Sequence, residues 1–259
     1  MTSKYINNFT FDIPITFKNI TIYPATIQDY YSFYYFSQCL TIDKNADNNL
    51  DVNERIKVIQ MTYLDYLFYL AKENNLEYLE SNPNILWFIE LLKIVTKNKL
   101  LQVNLSKLEN GRACFYIENQ LYTDEDFEQL KDIISEWNLV DLPDLSISKA
   151  LRDKLTEAKN YRAKLSKQKP ASLEDQIICA AIALGLPIES IYSMSIRKFT
   201  KLLKRIDAKI HYEIYLTASM SGMVKFKDDS FIKHWLSDLT EDRWADSKVS
   251  YDEVEKKIH

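Results

Sequence analysis

The first forty residues change from an alternating to a helical pattern of hydrophobic positions. Apolar residues alternate with polar ones over residues 9–22, which predicts a β-hairpin with Lys18 and Asn19 in its turn. Thr26 then precedes a segment whose apolar residues recur at helical spacing as far as Leu40. We therefore expect Thr26 to cap a helix that is rich in tyrosine and phenylalanine.

The middle of the chain continues this mixture of helices and short strands. Helical spacing predicts helices over residues 54–74, 85–97 and 123–137. Two apolar stretches, residues 100–105 and 113–118, flank Asn110 and Gly111, a pair that is typical of a tight hairpin turn. Residues 1–143 are thus predicted to form an aromatic-rich α+β domain.

The pattern changes near Leu142 and Pro143, after which nearly every segment has helical spacing. The predicted helices span residues 146–169, 172–184, 188–194, 196–220 and 229–239. In the long helix, apolar residues recur at intervals of three and four from Ile196 to Ile214, which favours packing against another helix. The expected fold class is α+β and mainly α, with an all-helical domain over residues 144–239 and a charged tail over 240–259.

The rarity of glycine and histidine excludes several kinds of catalytic site. The glycines stand at positions 111, 185 and 222, too far apart for a phosphate-binding loop or a nucleophile elbow. The three histidines do not form the His-Glu-x-x-His pattern of zinc proteases. We therefore expect a protein that is not an enzyme and that has no resident cofactor, with calcium as the exception considered below.

Cysteine spacing and hydropathy indicate the compartment. The three cysteines, Cys39, Cys114 and Cys179, are odd in number and far apart, which fits free thiols in a reducing environment. The charge-free stretches, such as residues 30–42 and 176–188, are too short to span a bilayer, and the first residues lack a signal-peptide pattern. The sequence predicts an intracellular protein without a membrane partner.

One polar loop has the spacing of a calcium-binding loop. Its oxygen-bearing side chains would come from Asp43, Asn45, Asp47, Asn49, Asp51 and Glu54. Asn48 replaces the glycine that normally stands at the sixth position, although asparagine tolerates the positive φ required there. The alternative is an exposed polar loop in which Asp51 or Asn53 caps the next helix. Both interpretations stay open at the level of sequence.

Charge is distributed unevenly along the chain. Eight basic and two acidic residues give residues 146–169 a charge of +6, which leaves −10 on the rest of a chain whose net charge is −4. Residues 176–205 also have a helix-turn-helix-like pattern, with Gly185 in the turn and Lys198, Lys201, Lys204 and Arg205 in the second helix. Together these features make a nucleic-acid-binding regulator an alternative function, but Ile196 and Phe199 stand where base-reading residues belong, which argues against a nucleic-acid partner.

Several segments resemble proteins of tailed bacteriophages. The C-terminal pattern covers residues 172–179, 185–192 and 194–200. It consists of a helix of small residues, a Gly-Leu-Pro turn, a short helix, and a capped helix that opens with Arg-Lys-Phe. Near the N-terminus, residues 17–24 lead from a strand pair into a helix. This pattern is similar to tail-assembly chaperones and to baseplate or hub assembly proteins. The resemblance implies a role in morphogenesis that needs no catalytic residues. It implies that the partners are other tail or baseplate proteins, or a second copy of the chain. It also implies a location in the cytoplasm of the bacterial host during assembly, or in the virion.

Aromatic residues supply the candidates for partner binding. The cluster of Tyr30, Tyr31, Phe33, Tyr34 and Tyr35 covers too wide an arc for one helix face, so part of it should be exposed or at an interface. Tyrosine combines a large contact area with a polar tip, which suits protein interfaces. Phe199 and Leu203 of the long helix are added as residues that would dock a partner helix. The alternative is that these side chains belong to the core.

Overall fold

The computed structural model describes residues 4–44, 51–72, 82–143, 149–165, 171–221 and 233–238. The fold is α+β and mainly helical, with small antiparallel sheets, as the sequence predicts. The chain divides into two compact units. Unit 1 comprises Met1–Asp144 and Glu189–Phe199, and unit 2 comprises Leu145–Ile188 and Thr200–His259.

Unit 1 begins with a short helix, α1 (Ile6–Phe11), where the alternating pattern predicts a strand. In a strand, Phe9 and Phe11 would lie on the same face. Phe9 is instead buried, with its ring centroid 5.4 Å from that of Trp137, while Phe11 is exposed. A helix buries one of these rings without the other, so tertiary packing decides against the strand.

The rest of the predicted hairpin is confirmed. Strand β1 (Ile15–Phe17) pairs antiparallel with β2 (Ile20–Ile22). Lys18 lies in the turn with a φ of 51°, as a two-residue hairpin turn requires. The ammonium group of Lys18 is 2.6 Å from the Asp126 carboxylate, so the turn is also joined to a later helix.

The aromatic helix α2 (Tyr30–Ser37) follows between two 3₁₀ turns. Thr26 is the N-cap of the first turn and forms a capping box with Asp29, and its hydroxyl also donates to the Asp29 carboxylate at 2.8 Å. The predicted cap is therefore confirmed. The second turn, Gln38–Leu40, carries the buried Cys39.

The sequence predicts one helix over residues 54–74, but an extended Met61 interrupts it. The two resulting helices are α3 (Val52–Gln60) and α4 (Tyr63–Lys72). The Thr62 hydroxyl donates to the Asp65 carboxylate and accepts from the Asp65 N–H, which caps α4. This Thr-x-x-Asp signal is present in the sequence, but the continuous apolar spacing conceals it.

Helix α5 (Ile85–Thr96) and a three-stranded sheet form the centre of unit 1. The strands are β3 (Val103–Lys107), β4 (Ala113–Ile117) and β5 (Gln120–Tyr122), paired antiparallel in that order. The sequence predicts the first two strands and their Asn110-Gly111 turn. It misses β5, which is only three residues long.

Helix α6 (Asp124–Asn138) closes the core of unit 1. The Phe88 ring of α5 meets the Phe115 and Phe127 rings at centroid distances of 5.9 and 4.7 Å. Phe115 stacks in turn on Tyr122 at 5.0 Å. Burial raises the pKa of the Tyr122 phenol to about 12, and its hydroxyl donates to Asn19 Oδ1 at 2.6 Å.

Unit 1 also includes a segment from far along the chain. Helix α9 (Ile188–Tyr192) and the first turn of α10 (Ile196–Met220) bring residues 189–199 to this unit. The N–H of Ile27 donates to the Met194 carbonyl, and the N–H of Ile196 donates to the Ala25 carbonyl, both at 2.9 Å. The predicted domain border at residue 143 does not anticipate this insertion.

Unit 2 contains α7 (Lys149–Leu165), α8 (Leu173–Leu184) and most of α10. Ser172 and Asp175 form a capping box at the start of α8, and Gly185 ends it with a φ of 64°, as the sequence predicts. Residues 233–238, the described part of the predicted helix 229–239, form a turn instead. This turn is held by Arg205 Nη1, which donates to the carbonyls of Trp235 and Ser237 at 2.7 Å.

Candidate functional site

The solvent-facing side of α2 consists mainly of tyrosines. Tyr31, Tyr34 and Tyr35 are 71%, 62% and 43% exposed. Residues at positions i, i+3 and i+4 lie on one face of an α-helix, so these three phenol rings share one surface. We call this surface, defined by Tyr31, Tyr34 and Tyr35, the tyrosine face.

Neighbouring rings hold the tyrosine face in place. Tyr30 stacks on Tyr34 with centroids 6.2 Å apart and planes within 5°, and its ring meets Tyr31 edge to face at 5.7 Å. Tyr35 stacks on Trp87 of α5 at 4.2 Å. Aromatic pairs of this kind contribute about 0.5–1.5 kcal/mol each beyond area burial. Rings that are already ordered lose less conformational entropy when a partner binds.

The structure corrects the set of partner-binding residues taken from the sequence. Phe33 lies on the other side of α2 and is 3% exposed, so it belongs to the core of unit 1. Phe199 is buried to the same degree, in the turn of α10 that belongs to unit 1, and Leu203 is partly buried. Composition could not separate these residues, because all are apolar or aromatic and only tertiary packing covers some of them.

Trp87 is a residue of this site that the sequence does not reveal. It is buried and forms the stacking platform for Tyr35. The two residues are distant in sequence, and the apolar spacing of α5 indicates only that Trp87 faces inward. The pairing becomes visible only once α2 and α5 pack together.

The tyrosine face is electrically neutral. No charged residue stands between Tyr30 and Ile42. Interfaces between proteins are enriched in aromatic residues and depleted of charged ones at their centre, whereas nucleic-acid contacts depend on Lys and Arg. The composition of this face therefore favours a protein partner.

The apolar seam of α10 is covered at one end and exposed at the other. Ile196 is buried in unit 1, but Ile210 and Ile214 in unit 2 are 49% and 55% exposed. The helical spacing is the same throughout, so it identifies the face of the helix but not whether that face is covered. Ile210 and Ile214 form a second candidate contact surface, on unit 2.

In the helix-turn-helix-like segment, the first two basic residues of the second helix form contacts within unit 1. Arg197 is buried, and its Nη1 donates to the Glu136 carbonyl at 2.7 Å. The Lys198 ammonium lies 2.7 Å from the Asp12 carboxylate. A recognition helix reads bases with exposed residues at its start. At the start of α10, Arg197 is buried and Lys198, although exposed, is paired with Asp12, so these two side chains give the nucleic-acid alternative no support.

Helix α7 forms the middle of the predicted basic helix. Within it, Asp153, Lys154 and Glu157 are exposed. Residues 146–148 and 166–169 of the prediction lie outside the described residues. A helix surrounded by solvent exposes charged side chains of both signs, as Asp153, Lys154 and Glu157 do.

The calcium-type loop is described only at its ends. Asn45, Asp47 and Asn49 lie outside the described residues, while Asp43, Asp51 and Glu54 lie inside them. The Asp51 carboxylate accepts from the Glu54 N–H at 2.8 Å and caps α3. This is the helix cap that the alternative interpretation predicts. Calcium binding stays a prediction.

Other chemistry is sparse in the part of the chain that the structure describes. There, no group of three His, Cys, Asp or Glu side chains is placed to hold a metal ion. Cys39 and Cys114 are buried, and burial raises the pKa of the Cys39 thiol well above its usual range. Among the described helices, none is both long and apolar enough for a membrane crossing.

A known family model matches part of the chain. Residues 164–240 match the family of the YomV second domain, a phage-type domain of the Bacillus phage SPbeta-like kind. The match covers less than a third of the chain and includes residues 172–200, which carry the phage resemblance in the sequence. It is consistent with phage origin. Searches of curated proteins and of solved structures found no match.

Proposed function

We propose that this protein takes part in the morphogenesis of a phage tail or baseplate by binding other proteins of the particle. The observation that carries the proposal is the tyrosine face, which is exposed, neutral and held in place by neighbouring rings. The match of residues 164–240 to a phage-type domain supports the phage setting. The resemblance of the sequence to tail-assembly proteins supports the finer assignment.

The proposed mechanism is binding alone. Tyrosines at the centre of an interface often contribute 2 kcal/mol or more, because they exclude water over a large area while the hydroxyl stays hydrogen-bonded. Tyr31 and Tyr34 would form the centre of the contact. Tyr35, which stacks on Trp87, would form its edge. The mechanism needs no catalytic residue and no cofactor, and it operates in the cytoplasm of the bacterial host or in the virion.

The direct test uses purified subunits from any tail or baseplate genes that are found beside this gene. Each subunit is titrated against the wild-type chain and against a variant with Tyr31→Ser and Tyr34→Ser. We expect at least one subunit to bind the wild type, and the variant to bind about tenfold more weakly or worse.

The matched control changes two tyrosines that are exposed elsewhere, Tyr161→Ser and Tyr192→Ser. This control should bind the subunit as the wild type does. If no tail or baseplate subunit binds the wild type, the proposal fails. If both double variants lose affinity equally, the tyrosine face is not the contact.

The two roles within this proposal differ in the finished particle. A resident component would be present in purified virions at a fixed ratio to the other tail proteins. An assembly chaperone would be bound in infected cells but missing from purified virions. Quantitative mass spectrometry of both samples separates these roles.

A further inference from the structure

Unit 1 has a cleft in which basic side chains from three elements meet. The cleft has a volume of about 450 Å³ and lies between α3, α4 and the β3–β4 hairpin. Lys57 of α3, Lys107 of β3 and Arg112 of the hairpin turn line it, together with Asp65 of α4. No motif marks these cations as a group in the sequence, because they are scattered over more than fifty residues.

The carboxylate in the cleft is already engaged. Asp65 Oδ1 accepts from the Ala113 N–H at 2.6 Å, and Oδ2 accepts from the Thr62 hydroxyl at 2.9 Å. Asp65 thus fastens the hairpin to α4. Within the described ranges 4–44, 51–72 and 82–143, no carboxylate forms an ion pair with Lys57, Lys107 or Arg112. The cleft therefore offers three cationic groups to a ligand.

Side chains, and not backbone amides, would hold an anion here. The Gly111 N–H donates to the Leu108 carbonyl, and the Arg112 N–H donates to Asn110 Oδ1, so both amides are used within the turn. A phosphate-binding nest depends on free backbone amides. Arginine, by contrast, binds a carboxylate through two parallel hydrogen bonds. Arginine binds phosphates in the same way, so these side chains suit a carboxylate ligand, and the apolar floor and the charge of the unit decide between the two.

The floor of the cleft is apolar, and the surrounding unit is acidic. Met61, Phe68 and Tyr69 line the cleft beside the cations. Unit 1 contains 14 basic and 22 acidic residues, a net charge of −8. Such a field disfavours a long polyanion more than a short acidic segment, because the long chain extends beyond the cleft over the acidic surface.

We propose that this cleft binds an acidic peptide segment of a partner protein, with carboxylates on Lys57, Lys107 and Arg112 and an apolar side chain against Phe68 and Tyr69. This contact is separate from the tyrosine face. It does not depend on the partner being a tail or baseplate protein.

The test measures fluorescence anisotropy of a short fluorescein-labelled peptide, rich in glutamate and with one central phenylalanine, against the full chain. The cleft variant combines Lys107→Glu and Arg112→Glu. The matched control combines Arg55→Glu and Lys99→Glu, two exposed cations of unit 1 that do not line the cleft. Both variants change the net charge equally, and all four side chains are exposed, so both should fold.

We expect the cleft variant to lose about tenfold or more in affinity and the control less than about twofold. Equal losses in both variants would overturn the proposal, since they would indicate diffuse attraction only. Absence of wild-type binding would also overturn it. Displacement of the peptide by single-stranded DNA or inorganic phosphate at lower concentration than by unlabelled peptide would identify a different ligand class. The Tyr31→Ser, Tyr34→Ser variant should bind the peptide normally, so this result is independent of the proposed function.

Discussion

Units 1 and 2 place their apolar side chains in different environments. In unit 1 the rings of Phe88, Phe115, Tyr122, Phe127 and Trp137 are at most 1% exposed. In the described part of unit 2, the side chains of Ile178, Ile182, Ile210, Ile214 and Met220 are 39–80% exposed. Unit 1 thus has a core of large rings, although it also exposes side chains such as Val52 and Leu100, whereas the buried residues in the described part of unit 2 are Ile177, Ala180 and Ala181.

Helix α10 contains this contrast within one element. Its first turn contributes Ile196 and Phe199 to the core of unit 1, and the later turns expose Ile210 and Ile214. Stability should therefore be sensitive to core changes in unit 1 and insensitive to changes on these exposed turns. Five substitutions test this difference, in order of expected effect.

The largest effect is expected from Phe88→Ala in α5. Phe88 is 1% exposed and contacts Phe115 and Phe127, so truncation leaves a cavity that the neighbouring rings cannot fill. We expect the free energy of unfolding to fall by about 3–5 kcal/mol. Urea unfolding followed by circular dichroism measures it. A loss below about 1 kcal/mol would contradict the assignment of this ring cluster as the core.

Asn138→Leu should have the next largest effect. The Asn138 side chain accepts from the Ala25 N–H at 2.9 Å and donates to the Ile134 carbonyl. Leucine fills the same space but leaves the Ala25 N–H without its partner, at a cost of about 1–3 kcal/mol. The same unfolding assay applies. Asn104→Leu, at an exposed position of β3, is the control and should change stability little.

Asp126→Asn should cost about 1 kcal/mol and should change the acid sensitivity of unit 1. Burial raises the pKa of Asp126, but hydrogen bonds from Lys18 and Thr123 outweigh burial and hold it below the ordinary value of 3.8. The charged carboxylate therefore stabilises the fold above pH 3.8. This contribution is lost as the pH falls from 3.8 through the lower folded-state pKa.

Unfolding measured between pH 7 and pH 3 tests this prediction. The wild type should lose more stability across the acid range than Asp126→Asn, and the two curves should converge at the lowest pH. Parallel curves would show that this carboxylate has the same pKa in the folded and unfolded chain. Asp124→Asn, in the same first turn, is the control.

The smallest effect is expected from Ile210→Ser and Ile214→Ser. Both side chains are about half exposed, and isoleucine and serine have similar helix propensities, so each change should alter stability by less than about 0.5 kcal/mol. A loss above about 2 kcal/mol would mean that another part of the isolated chain covers this surface. Loss of self-association in analytical ultracentrifugation, with stability unchanged, would identify a second copy as the partner.

Sequence patterns identified most helices and failed at short or interrupted elements. The Thr26 and Ser172 caps and the Gly185 end are local signals, and each is found where it was predicted. The break at Met61 was missed because apolar spacing continues across it. Strand β5 was missed because three residues are too few for a period. The tyrosine face was predicted only as a mixture of core and surface residues.

The sequence by itself determined the local features: helix caps, the Asn110-Gly111 turn, the mainly helical fold class and the absence of glycine-rich phosphate loops. These depend on residues within a few positions of one another. The tertiary structure decided that α1 is a helix, which tyrosines are exposed, and that Lys57, Lys107 and Arg112 share a cleft. Such features depend on which distant segments cover a side chain, and the period of a pattern contains no information about that covering.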